Sequence, residues 1–179
     1  AGDAGAILVK NKSIDDKLLK LRNYGSAKKY QHDLIGFNHR MDEIQAAYLN
    51  VRLPYLEKEN SIRKKIAKIY LTELSQLKQI TLPRWDEKHE TVWHLFVIRI
   101  KKRENLKKFL ESKGVQTLIH YPTPPHKQRA YSDKAYLKKL NLKNTEKMTK
   151  EILSLPIHGY MKTSQAYYVC EKIMQFYDK

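Results

Sequence analysis

Two groups of side chains have the residue types and spacing to hold a polar ligand. The first lies in RNYGSAKKYQHDLIGFNHRMDEIQAA (22–47), where Asn23, Tyr24, Lys29, Tyr30, His32, Asn38 and Arg40 precede a helical pattern. Asn38, His39 and Arg40 stand just before that pattern. The first turn of a helix leaves amide donors unpaired and its dipole is positive there, so this position suits an anion such as phosphate. The second group is IHYPTPPH (119–126), which sets His120, Tyr121 and His126 among three prolines. Proline fixes φ and removes a donor, so the stretch is neither a helix nor an interior strand. A rigid loop of this kind offers imidazole and phenol hydrogen bonds to a ligand at little ordering cost. No Cys, Asp or Glu stands near these histidines at metal-ligand spacing, so no metal is expected.

Other candidates read as packing. His94 alternates with apolar neighbours in VWHLFVI (92–98) and is expected to be a satisfied core histidine. LSLPIHGY (153–160) is apolar, and Cys170 falls on a helix face as a buried spectator. Walker loop, dinucleotide fingerprint, Gly-x-Ser-x-Gly elbow and Cys-x-x-Cys pair are all missing from the sequence.

The elements that must position these groups follow from periodicity. Residues 4–11 read as a strand, and Ser13 as the cap of a helix carrying Ile14, Leu18 and Leu21 on one face, stopped by Gly25. Residues 26–39 show no period and read as a loop. Helices are expected over 41–53 and 57–77, separated by Pro54. Then come strands at 80–83 and 91–100, a helix over 103–114 closed by Gly114, a strand at 115–119, and helices near 145–153 and 163–177. The division expected is residues 1–53, a connecting helix over 54–79, and a small α+β domain over 80–179.

Composition narrows the partners. The 179 residues are 41% hydrophobic and 30% charged, as in a folded globular chain. Net charge is +16, from 35 Lys and Arg against 19 Asp and Glu. Most of the basic residues are lysines spread along helices, not an arginine stripe interleaved with aromatics, so no nucleic-acid partner is expected. No apolar run approaches the ~20 residues that span a bilayer, so no membrane partner is expected. The single cysteine fits a reducing, cytoplasmic setting.

The motifs GDAGAI (2–7), LRNYGS (21–26), KYQH (29–32), GFNHRMDEIQAAYL (36–49), WHLFVIR (93–99), IHYPTPPH (119–126) and LSLPIH (153–158) occur in this order. Together they closely resemble the carboxy-terminal half of the DegT/DnrJ/EryC1/StrS sugar aminotransferases. The stretch QTLIHYPTPPHKQRAY (116–131) is most similar to the branch acting on dTDP-3-keto-6-deoxyhexoses. The resemblance implies an α/β fold: a fold-type I pyridoxal 5′-phosphate (PLP)-dependent transferase, with residues 1–53 from the large domain and 80–179 forming the small one. It implies PLP as cofactor, an amino acid (glutamate) as donor, a nucleotide-linked keto sugar as acceptor, and a homodimer with shared active sites. It also places the Schiff-base lysine, the aspartate for the pyridine nitrogen and the phosphate-binding serine ahead of Ala1. The chain is thus expected to be part of a longer enzyme, with no catalytic residue of its own; Lys10 and Lys12 stand on the wrong side of GDAGAI.

By the same resemblance, Asn38 reaches the cofactor phosphate of the neighbouring subunit. Lys29, Tyr30, His32 and Arg40 contact the sugar nucleotide, and His120, Tyr121 and His126 line its pocket. His39 departs from the serine of many relatives and adds bulk and a titratable ring. The product would feed surface polysaccharide (lipopolysaccharide) or glycoside synthesis. The alternative is a catalytically inactive sugar-nucleotide-binding sensor of the same fold.

Overall fold

Asn11 opens the first helix. Its side chain accepts from the amides of Ser13 (2.9 Å) and Ile14 (3.3 Å), so α1 runs Lys12–Leu21 with Asn11, not Ser13, as the cap. The structure is a computed structural model; it describes residues 2–86, 88–89 and 91–178 and divides into units of residues 1–56 and 57–179.

In the first unit, residues 4–9 form no strand, contrary to the expectation for 4–11: among the described residues no segment pairs with them, and an extended run without a ladder is not a strand. Residues 26–39 are more ordered than a loop. Strands β1 (Ser26–Lys28) and β2 (Gln31–His32) form a short antiparallel hairpin. Just before it, Gly25 has φ +74° and lies so close to the Leu34 carbonyl that no Cβ would fit. An antiparallel bridge joins Asn23 to Asn38. Helix α2 runs Glu43–Arg52, and the chain turns through a 3₁₀ turn, Leu53–Tyr55, where Pro54 prevents simple continuation. None of the described hydrophobic side chains before Ile66 is buried.

The second unit carries the core. Helix α3 (Leu56–Glu73) buries Ile66 and Tyr70 one turn apart, with Leu74 just beyond its end. Strands β3 (Ile80–Thr81) and β4 (Phe96–Ile100) pair antiparallel, and β4 buries Phe96, Ile98 and Ile100 in strict alternation. Helix α4 (Arg103–Ser112) contributes Leu106 and Leu110, and Gly114 follows it at φ +74°. After two 3₁₀ turns and the short α5 (Ala135–Lys138), helix α6 (Lys143–Glu151) leads directly into β5 (Ile152–Leu155). Helix α7 (Thr163–Tyr177) closes the unit and buries Cys170 among Ala166, Val169 and Ile173. Each such aliphatic or aromatic side chain removed from water contributes about 1.5–3 kcal/mol.

Three expectations change here. His94 is exposed at a bend before β4, not in the core, because the strand begins only at Phe96. Residues 115–119 form no strand; only Leu118 bridges to Ser154. The third member of the β3-β4-β5 sheet is instead Ile152–Leu155, paired antiparallel to β4 and buried at all four positions.

Candidate functional site

The residues singled out in the sequence lie in two clusters, one in each unit. In the first unit, the two-residue link between β1 and β2 is Lys29-Tyr30. Tyr30 takes φ 67° and is 82% exposed, and the Lys29 ammonium lies 5.0 Å from the centre of its ring. His32 donates from Nδ1 to the Tyr24 carbonyl at 2.9 Å, leaving Nε2 as the acceptor. Tyr24 also sits at positive φ, 57°. A left-handed tyrosine costs about 1–2 kcal/mol, and two in one hairpin region mark it as a place where geometry has been chosen over ease.

Arg40 ties this region together. Its Nε donates to Asn38 Oδ1 at 3.1 Å, its Nη1 to Asn23 Oδ1 at 3.5 Å, and its guanidinium lies 5.3 Å from the Tyr24 ring centre. With Oδ1 engaged by Arg40, the Nδ2 donors of Asn38 remain for a ligand. Asn38 and Arg40 border an open cavity of about 1070 Å³, together with Arg22, Phe37 and His39, the last two stacked at 5.1 Å. Asp3 and Asp15 border it as well. Asn38 is not at the helix end: α2 starts at Glu43 after the Asp42 cap, and the Asn38 backbone is held by its bridge to Asn23. Any anion there would be bound by side chains, not by the α2 dipole.

In the second unit, His120 follows the Leu118 bridge. Its Nδ1 lies 2.8 Å from Ser154 Oγ, and its ring meets Tyr121 edge-on at 5.5 Å. Tyr121 is 70% exposed. His120 and Ser154 border a cavity of about 570 Å³ with Lys107, Gln116, Thr117 and His158. His126 behaves differently: its side chain is 6% exposed and its Nε2 lies 3.1 Å from Glu146 Oε1, which Lys127 also approaches at 3.3 Å. Those two contacts, His126 first, hold the Glu146 carboxyl below its ordinary range.

Ser154 is the polar residue that sequence reading passed over. It sits in an otherwise apolar run, Ile152–Leu155, and is only 4% exposed. A serine inside a fully buried strand must find a partner, but the sequence alone shows neither the strand nor the partner. Among the described residues no group of three or more His, Cys, Asp or Glu gathers as a metal site, and no helix is long and apolar enough to cross a membrane.

Comparison with known proteins places this architecture. Residues 1–174 match the model of the DegT/DnrJ/EryC1/StrS aminotransferase family. The chain is 42% identical over 168 residues to the erythromycin biosynthesis sensory transduction protein EryC1 of Saccharopolyspora erythraea, covering 94% of this chain and 46% of that protein. It is 41% identical over 172 residues to the dTDP-3-amino-3,6-dideoxy-alpha-D-galactopyranose transaminase of Aneurinibacillus thermoaerophilus, covering 96% and 46%. Among solved structures, S. venezuelae DesV in complex with a ketimine intermediate superposes with a TM-score of 0.89 at 37% identity, covering 94% of this chain and 45% of that one. The chain spans about half the length of the curated relatives it matches. The fold is therefore that of the α/β PLP-dependent sugar aminotransferases.

Proposed function

Because the chain belongs to the DegT/DnrJ/EryC1/StrS aminotransferase family, we propose that it is the carboxy-terminal half of a cytoplasmic PLP-dependent aminotransferase. The enzyme moves an amino group from glutamate to a nucleotide-linked keto sugar, a dTDP-3-keto-6-deoxyhexose, and works as a homodimer with shared sites. Its product serves surface polysaccharide or glycoside synthesis. The observation that carries the reading is the Asn23–Arg40–Asn38 cluster beside the larger cavity.

That donor set fits a phosphate group. Asn38 offers two amide hydrogens, and Arg22 and Arg40 supply charge-assisted donors that a phosphate oxygen accepts well. In this reading Asn38 holds the cofactor phosphate of the neighbouring subunit, and Arg40 keeps the Asn38 amide turned. The chemistry that PLP supplies when bound is an electron sink for amino transfer. None of the lysines of this chain is assigned to the proton transfers, so its residues bind and position.

Lys29 answers the diphosphate of the sugar nucleotide with charge, Tyr30 offers an exposed ring for stacking, and His32 Nε2 accepts a hydrogen bond. From the small domain, His120 and Tyr121 line the sugar pocket. His126 enters in a changed role: with Nε2 engaged by Glu146 and its side chain covered, it holds the proline loop instead of touching the sugar.

The test is borohydride reduction of the full-length protein purified from cells, followed by peptide mapping. A pyridoxyl-lysine is expected. Its absence from every peptide would sink the enzyme reading in favour of the sensor. A second arm substitutes His120→Ala: KM for the sugar nucleotide should rise while the half-reaction with glutamate stays near wild type. Equal loss in both half-reactions would remove His120 from the sugar pocket.

A further inference from the structure

We propose that Ser154 is a positioning residue that sets the tautomer of His120, so that the imidazole presents Nε2–H, a donor, to an acceptor oxygen of the sugar nucleotide. This rests on the pocket reading above and adds to it the residue that makes His120 a donor and not an acceptor.

The geometry starts on β5. Ser154 is joined to Leu118 through both backbone groups: its N–H donates to the Leu118 carbonyl at 2.8 Å, and its carbonyl accepts from the Leu118 N–H at 3.3 Å. On its other side it is in register with Val97 of β4. Ser154 is thus hydrogen-bonded to Leu118 on one side and flanked by β4 on the other, and the residue is 4% exposed. Two positions after Leu118 the chain reaches His120, whose Nδ1 lies 2.8 Å from Ser154 Oγ. One residue therefore anchors the start of the proline loop by its main chain and orients the first imidazole by its side chain.

The direction of the proton follows from satisfaction. A hydroxyl this buried needs an acceptor for its hydrogen, and among the described residues the acceptor against Ser154 Oγ is His120 Nδ1. An imidazole whose Nδ1 accepts carries its own proton on Nε2. His120 and Ser154 both border the 570 Å³ cavity. A ligand there meets an N–H, which favours carbonyl, hydroxyl or phosphate oxygen.

Long-range ¹H–¹⁵N histidine spectra of the full-length protein above the histidine titration range test this without reference to activity. His120 is expected as the Nε2–H tautomer in the wild type and as a mixture in Ser154→Ala, with Ser154→Thr restoring the wild-type pattern. The wild-type spectrum alone is decisive if the alanine variant does not fold: an Nδ1–H ring overturns the assignment, as does a pattern unmoved by Ser154→Ala. The kinetic arm runs the reaction in reverse with dTDP-3-amino-3,6-dideoxy-α-D-galactopyranose. KM should rise roughly five- to tenfold in Ser154→Ala, the effect of about one neutral hydrogen bond, with the glutamate half-reaction unmoved. A tautomer that shifts while KM does not would support the Ser154–His120 coupling and overturn the placing of His120 in the sugar pocket.

Discussion

His126 and Glu146 meet at 3.1 Å, Nε2 to Oε1, across twenty residues of chain, and that contact fastens the proline loop to α6. The carboxyl is held below its ordinary range by His126 first and Lys127 second. A depressed acid stabilises the state that keeps it ionised. Its contribution is complete above the ordinary carboxylate value of about 4.5 and is lost as pH falls through the lower folded value. Hydrogen exchange of residues 121–131, corrected for intrinsic rates, should rise as pH falls below that point. Glu146→Gln should expose the same amides at neutral pH. Wild-type protection in that variant would detach the loop from this contact.

Tyr70 gives a second measurable bond. Its hydroxyl donates to the Pro156 carbonyl at 2.8 Å, and its ring lies 5.0 Å from Phe96 in the core. Burial pushes the phenol far above its ordinary range, so it stays protonated and donating at any working pH. Tyr70→Phe keeps the ring and leaves the carbonyl without this donor, at a cost of about 1 kcal/mol. A urea midpoint unchanged at constant slope would show that water replaces the hydroxyl freely.

Much of this architecture was legible because it is local. The 3.6-residue rhythm located α1, α2, α4, α6 and α7 to within a few residues, and Gly114 marked the end of α4 as a left-handed stop. What was missed is pairing. Residues 115–119 and Ile152–Leu155 are both short apolar runs, and periodicity alone cannot say which lies beside β4. The placing of His94 in a core strand failed for a related reason: an apolar run does not reveal where its ladder begins. Ser154 was invisible as a site residue because its role depends on His120, thirty-four positions away.

Cys170 should be silent to thiol reagents. It is 1% exposed on α7, and burial is the main cause that pushes its thiol up to about 12. The nucleophile is the thiolate, so both access and ionisation oppose reaction. A disulfide reagent at pH 8 should label Cys170 only in denaturant. Rapid stoichiometric labelling of the native protein would place the residue at an accessible surface.

Limited proteolysis should distinguish the two units. Before Ile66 no described hydrophobic side chain is buried, and Leu8, Ile35 and Ile44 are 96%, 95% and 85% exposed. A segment without its own core opens at little cost, whereas opening the packed helices and strands of 57–179 must first break one. Digestion of the 179-residue chain at low protease ratio should remove residues 1–56 and leave the remainder. A stable product that retains the Asn23–Asn38 region but loses α7 would contradict this order.

The cofactor assignment of Asn38 makes a prediction that ordinary mutagenesis would blur. Its amide is oriented by Arg40 Nε at 3.1 Å and is proposed to serve the partner's site, so Asn38→Ala should weaken PLP retention by roughly tenfold, the worth of a hydrogen bond to a charged group. Loss of retention alone does not say which subunit's site was served. A mixed dimer does. One protomer of the full-length enzyme carries Asn38→Ala; the other lacks the Schiff-base lysine. If Asn38 acts across the interface, the site with an intact lysine borrows an intact Asn38 from its partner, and one of the two sites binds cofactor with wild-type affinity. If Asn38 acts within its own subunit, both sites are defective and mixing restores nothing. Titration of mixed dimers with PLP, followed at the cofactor absorbance, reads the two cases directly: half-stoichiometric tight binding supports the shared site, and uniformly weak binding removes Asn38 from it.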